Sequence, residues 1–268
     1  MLRLASAAVL LTLVVVTIWL LPYWATGVLA CVAAAIAGAE LAGFSAAVGA
    51  PVPAAFLGAS AALMVVAFGV DARFTLGEPH GVLGIAFLAL TIAAAGVTLS
   101  MAPPGPGTLT RAAVLVMGPA YIGLPLGAMV WVQWAVGYEA TLWMLAIIAI
   151  SDSAQYYSGR RFGKTRLAPT ISPAKTREGA VGGLVAAAAA GALLQPWWLS
   201  DVPVVQAAGM ALVLAVFGIT GDLFESMLKR GAGVKDSSTL IPGHGGVLDR
   251  IDSHLFAAPV FYLFMRFL

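Results

Sequence analysis

Asp222, Glu225, Ser226 and Lys229 follow one another at spacings of three and four, so a helix would present them on one face. Asp222 also closes a long apolar run. Downstream come Arg230, Lys235 and Asp236, then Pro242-Gly243-His244-Gly245-Gly246, then Asp249, Arg250 and Asp252. Glycines in such a turn permit positive φ and bring backbone close to a ligand. Asp249 and Asp252 are three apart, again one face of a helix. An earlier stretch places Asp152 two residues after the apolar segment Leu142–Ile150, and Ser172, Lys175 and Thr176 shortly before Glu178. A carboxylate inside a membrane span costs at least about 2.5 kcal/mol near its centre and marks function, whereas one at the water boundary is merely solvated.

These residue types favour one kind of chemistry. Carboxylates without a cysteine or histidine cluster offer oxygen ligands, which suit Mg²⁺ held by one or two carboxylates plus substrate phosphates. Lys229, Arg230, Lys235 and Arg250 would neutralise phosphate oxygens that the metal does not reach. Phosphoryl or nucleotidyl transfer needs this inventory. The stretch Ser172–Glu178 has two readings: a helix start with Lys175 and hydroxyls that receives a phosphate, or a Ser/Thr helix cap with Glu178 closing a capping box. His244, with no second histidine at ligand spacing, reads as a structural or substrate-contact histidine. His80 and His254 have no polar cluster around them in the sequence and receive no role. The single cysteine, Cys31, lies in an apolar run and reads as a buried, inert thiol.

The elements that must carry these residues are membrane helices. Of 268 residues 61% are apolar and 10% charged, and the mean hydropathy is +0.97. A soluble domain carries about 25% charged residues. Fourteen basic and twelve acidic side chains cannot clothe such a chain in water, and a net charge of +2 argues against a nucleic-acid partner. Apolar runs fall near 4–21, 25–48, 53–70, 81–101, 111–135, 138–157, 178–196, 203–224 and 254–267. The expected fold is therefore all-α, a polytopic integral membrane bundle of about nine transmembrane helices, because hydrocarbon leaves unpaired backbone groups no partner. The first run reads as a retained signal-anchor helix, and the Ala- and Gly-rich 178–192 as a helix packed closely on its neighbours.

Charge placement divides the chain. Residues 1–150 hold three basic and four acidic side chains; residues 151–252 hold ten and eight. We accordingly read 1–140 as N-terminal scaffold helices. Residues 141–268 read as a catalytic transmembrane region with polar segments at 158–177 and 225–253. With nine spans these two segments share a side with Arg3 and Arg111, leaving Arg73 and Arg266 opposite. Excess Lys and Arg marks the cytoplasmic face. The expected location is the cytoplasmic (inner) membrane, with the active site toward the cytoplasm.

The ordered motifs S-x-x-K-R (Ser226–Arg230), K-D-S (Lys235–Ser237), I-P-G-H-G-G (Ile241–Gly246) and D-R-x-D (Asp249–Asp252) resemble the signature of the phosphatidate cytidylyltransferase family, the CDP-diacylglycerol synthases. G-R-x-F-G-K at Gly159–Lys164 and S-P-x-K-T-x-E-G at Ser172–Gly179 resemble a second block of that family. Residues 1–140 are similar to it only in being apolar and of suitable length. The resemblance implies a membrane enzyme that joins CTP and phosphatidate, releases pyrophosphate and requires Mg²⁺. It further implies Asp222 and Asp249 as metal ligands, with a second, monovalent cation beside them. Asp236 and Asp252 follow as supporting carboxylates, and Lys235, Lys229, Arg230 and Arg250 as phosphate contacts. Asp152, Ser172, Lys175, Thr176, Ser226 and His244 complete the substrate-binding set. Gln155 departs from the family, whose members often carry an aromatic residue there.

Three other readings remain open at this point. One is a CTP-dependent enzyme with another lipid acceptor, such as a polyprenol kinase or an archaeol-phosphate cytidylyltransferase. Another is an ion-coupled secondary transporter, and the third is a non-catalytic membrane scaffold. A homodimer is compatible with all of them, as symmetric pairs are the commonest oligomers.

Overall fold

The computed structural model describes residues 2–74, 81–101 and 103–267. His80 and the end of the polar segment before it lie outside these. Among the described residues the apolar runs form nine helices: α1 (Leu2–Leu20), α2 (Tyr23–Ala47), α3 (Ala54–Phe74), α4 (Val82–Met101), α5 (Thr108–Ala135), α6 (Tyr138–Phe162), α7 (Arg177–Trp198), α8 (Val204–Gly231) and α9 (Leu248–Phe267). Between α6 and α7 a short antiparallel hairpin pairs β1 (Arg166–Ala168) with β2 (Ser172–Thr176). Periodicity did not announce this hairpin, whose strands hold three and five residues.

Among the described residues six helices are long and apolar enough to cross a membrane: α2, α3 through Ala72, α4, α5, α7 and α8. The described apolar part of α1, Ser6–Leu20, is shorter. Neither α6 nor α9 joins the six, since both carry polar turns, α6 at Asp152 and Arg160–Arg161 and α9 at Asp249–Asp252. Large apolar side chains stand fully outward, Leu99 at 85% exposure and Ile85, Leu193 and Val205 likewise. Water would penalise such a surface; lipid does not. The chain is an integral membrane protein.

Contacts divide the chain into two compact units, Met1–Trp131 with Gly231–Arg250, and Val132–Arg230 with Ile251–Leu268. In the first unit, Ala42, Val52, Leu57, Ala94 and Leu115 pack as one buried cluster. A Cβ on Gly38 would sit 2.8 Å from the Leu57 carbonyl oxygen, so α2 and α3 approach backbone to backbone. Cys31 is half-buried rather than buried, with its sulfur 3.8 Å from the Ala62 carbonyl oxygen.

In the second unit, Trp143 stacks on Phe261 with centroids 5.7 Å apart. The Ala- and Gly-rich start of α7 lies against α6 as expected. A Cβ on Gly179 would meet the Gln155 carbonyl oxygen at 2.8 Å, and one on Gly183 the Ser151 carbonyl oxygen at 2.9 Å. Small residues there permit close packing where no hydrophobic force drives helices together.

Candidate active site

The second unit gathers one polar cluster. Lys175, at the end of β2, pairs with Asp222 of α8. Ser226, one turn further along α8, donates to the other Asp222 oxygen at 3.3 Å. Asp152 of α6 accepts from Gln155 Nε2 at 3.0 Å. Asp152 and Asp252 both feel the charge of Asp222, with Lys175 and Lys229 as the opposing cations. Asp252 also accepts from the Ser253 N–H at 2.7 Å. Lys175 and Asp222 are each partly exposed, so an arriving anion or cation can reach them.

Other residues expected at this site are held by contacts within the fold. Thr176 is buried and caps α7, its hydroxyl accepting from the Gly179 N–H at 3.1 Å. Glu178 does not return to the cap as a capping box requires. Its carboxylate instead accepts from the Lys164 N–H at 3.0 Å and the Thr165 N–H at 3.1 Å, closing the base of the hairpin. Ser172 opens β2. Lys229 is 9% exposed and pairs along the helix with Glu225, which is fully buried. Two charges that far from water hold each other, since either alone would be costly. Arg230 Nε donates to the Ile171 carbonyl at 3.3 Å and ties α8 to the hairpin turn.

Lys235, Asp236, His244, Asp249 and Arg250 belong to the first unit. There the glycine turn closes as its residues demand: Gly243 and Gly245 adopt φ of 77° and 79°, and the Ile241 N–H donates to the Gly245 carbonyl at 2.8 Å. His244 Nδ1 lies 2.8 Å from the Ser6 hydroxyl of α1, which also reaches the Pro242 carbonyl at 3.1 Å. The turn walls a cavity of about 350 Å³ together with Lys235, Asp236, Ser238, Thr239 and Arg250. Asp249, in the first turn of α9, accepts at Oδ2 from the Ser237 and Gly246 N–H groups at 2.8 Å, and the Ser237 hydroxyl, with one proton, stands 2.8 Å from that oxygen and 2.9 Å from Glu40 Oε2.

Sequence reasoning missed Glu40. This single charge in α2 accepts from Ser237, Ser238, Val247 and Leu248. Its signal was present: a lone carboxylate inside an apolar run needs partners.

Among the described residues no three His, Cys, Asp or Glu side chains form a metal-holding group. Mg²⁺ needs fewer: one or two carboxylates, with water and substrate phosphate for the rest. The partly exposed, oxygen-only Asp222 fits that requirement.

A family model described as the cytidylyltransferase family matches residues 1–268. The chain belongs to this family. Curated relatives agree with it. A phosphatidate cytidylyltransferase of Haemophilus influenzae is 43% identical over 135 residues, 49% of this chain and 47% of that protein. One of Bacillus subtilis is 38% identical over 160 residues, 59% and 60% of the two. The protein YnbB of Escherichia coli, described as uncharacterized, is 43% identical over 131 residues, 49% and 44%. The chain thus spans about half the length of the curated relatives it matches.

Proposed function

We propose that this protein joins CTP and phosphatidate at the cytoplasmic side of the membrane, forming CDP-diacylglycerol and pyrophosphate. The observation that carries the reading is the family match over the whole chain, with relatives named for that reaction. A phosphatidate oxygen attacks the α-phosphorus of CTP; a new P–O bond forms and the bond to the β-phosphate's bridging oxygen breaks. The attacking oxygen is already anionic, so the main barrier is repulsion between anions, which fixed cations lower.

Lys175 is the cation nearest the Asp222 carboxylate and would exchange that partner for a phosphate oxygen. Asp222 would hold Mg²⁺, and Asp249 is retained as a second ligand on the motif alone. When bound, the metal would offset charge on the triphosphate. Lys235 and Arg250 at the glycine-loop cavity would steady the phosphates, and His244 would order that loop through Ser6. The monovalent cation stays part of this reading as a partner of the same carboxylates.

Orientation has its own support. Within the first unit the start of α1 reaches the glycine turn through Ser6, and the last third of α2 reaches the same segment through Glu40. Gly107, before α5, lies against Gly49, after α2. The parity drawn from Lys and Arg requires these same ends to share a side.

The test is purified protein with Mg²⁺, labelled CTP and a panel of lipid phosphates: phosphatidate, an archaeol phosphate and, for kinase activity, a free polyprenol. CDP-diacylglycerol and pyrophosphate from phosphatidate are expected. Pyrophosphate release with another acceptor only, or none with any, overturns the reading.

A further inference from the structure

Glu40 is 8% exposed and sits in a helix whose other side chains are uncharged. A carboxylate there is expensive unless every lone pair finds a donor, and here the donors come from one loop. Oε1 accepts from Ser238 Oγ at 2.7 Å and Val247 N–H at 3.0 Å. Oε2 accepts from the Leu248 N–H at 2.8 Å and lies 2.9 Å from Ser237 Oγ, whose one proton it shares with Asp249 Oδ2. Ser237 and Ser238 enter the glycine loop; Val247 and Leu248 leave it. The two N–H groups open α9, where backbone donors lack intrahelical partners and negative charge is favoured. One side chain therefore joins both ends of the loop. Gly246 fits the same arrangement, because a Cβ at that position would run into the Ser237 hydroxyl and the Glu40 carboxylate.

We propose that Glu40 is a positioning residue that clamps the 237–248 loop shut at its neck and so fixes Lys235 and Arg250 around the loop cavity. That the cavity receives the nucleotide's phosphates rests on the function proposed above; the clamp does not. Glutamine cannot replace the carboxylate. Its amide nitrogen would face either Val247 or Leu248, whose N–H groups cannot turn into acceptors.

The experiment compares the full-length wild type with Glu40→Gln, and with Ser238→Ala, which removes one of the same bonds without altering a membrane helix or the Asp249 contacts. In detergent micelles, hydrogen exchange of 237–248 should quicken about tenfold, the equivalent of one lost hydrogen bond, while the β1–β2 hairpin keeps wild-type exchange. In the CTP assay, KM for CTP should rise by a similar factor, with KM for phosphatidate and the maximal rate far less changed. Wild-type exchange in the loop of both variants overturns the clamp. So does faster exchange spread evenly along the chain, or an equal fall in rate for both substrates, since these mark a merely structural carboxylate. If Glu40→Gln does not fold, Ser238→Ala decides by the same readouts. If the wild type uses no lipid phosphate, the proposed function fails, and exchange alone still decides the clamp.

Discussion

The two polar regions use the same residue types for opposite ends. In the second unit, Asp222 meets a lysine and a serine hydroxyl, and both members of the ion pair are partly exposed. In the first unit, Glu40 and Asp249 take their hydrogen bonds from backbone N–H groups and two serines of a single loop. A carboxylate held by a mobile cation can trade it for a substrate phosphate or a metal. One held by backbone amides cannot give up those bonds without unfolding what it holds; at Asp249 they fall on Oδ2, so a metal there would be met at Oδ1. Location next to a motif therefore does not give a carboxylate its job; the identity of its donors does.

The largest effect expected from this contrast is at Asp222. Asp222→Asn should lower turnover about 10³-fold, the loss typical of a group facing developing charge. Its ion pair is partly solvated, so stability should stay within about 1 kcal/mol of wild type. Asp249→Asn should lower both activity and stability, the latter by about 1–3 kcal/mol through donors left unsatisfied. Rate assays with denaturation in parallel check both. Equal stability losses at the two sites would erase the distinction.

Gly246→Ala sharpens the contrast from the other side. It removes no chemical group, yet its methyl would need the space held by Ser237 and Glu40. Overpacking of this kind costs about 1–3 kcal/mol, and activity should fall with the loop's shape. Gly231→Ala is the control, since a Cβ there meets nothing within 4 Å. Thermal melts and turnover of the two variants test the pair.

Much of the architecture was legible because lipid simplifies the code: each of the nine apolar runs became a helix. The ends were less legible. α6 runs on to Phe162, α8 to Gly231, and α9 starts at Leu248, in each case through charged residues. Hydropathy stops at the first polar turn, whereas backbone hydrogen bonding continues wherever side chains find partners. Asp222 and Lys175 were legible as a type of chemistry, but their pairing joins residues 47 apart in sequence and no spacing reports it. Lys229 and Arg230 read as phosphate contacts from their charge and from the S-x-x-K-R motif; the structure shows the first paired with a buried glutamate and the second bonded to a hairpin carbonyl. Glu40 was overlooked since its partners lie about 200 residues away.

The smallest effect expected is at Glu178, which tests whether donor identity outweighs position. It stands three residues from Lys175 in a block whose motif resembles the family's, so a motif-based ranking would make it important. Its carboxylate accepts from the Lys164 and Thr165 N–H groups, both backbone donors at the foot of the hairpin. By the rule drawn from the two polar regions it is a frame residue, and it is only half-buried, so water replaces much of a lost partner. Glu178→Gln keeps one carbonyl oxygen for those amides. Turnover and KM for CTP should therefore stay within about twofold of wild type, as for most surface substitutions. The hairpin alone should lose protection against hydrogen exchange and proteolysis. A fall in turnover approaching that of Asp222→Asn would mean that Glu178 touches substrate, and that backbone donors do not by themselves mark a carboxylate as structural.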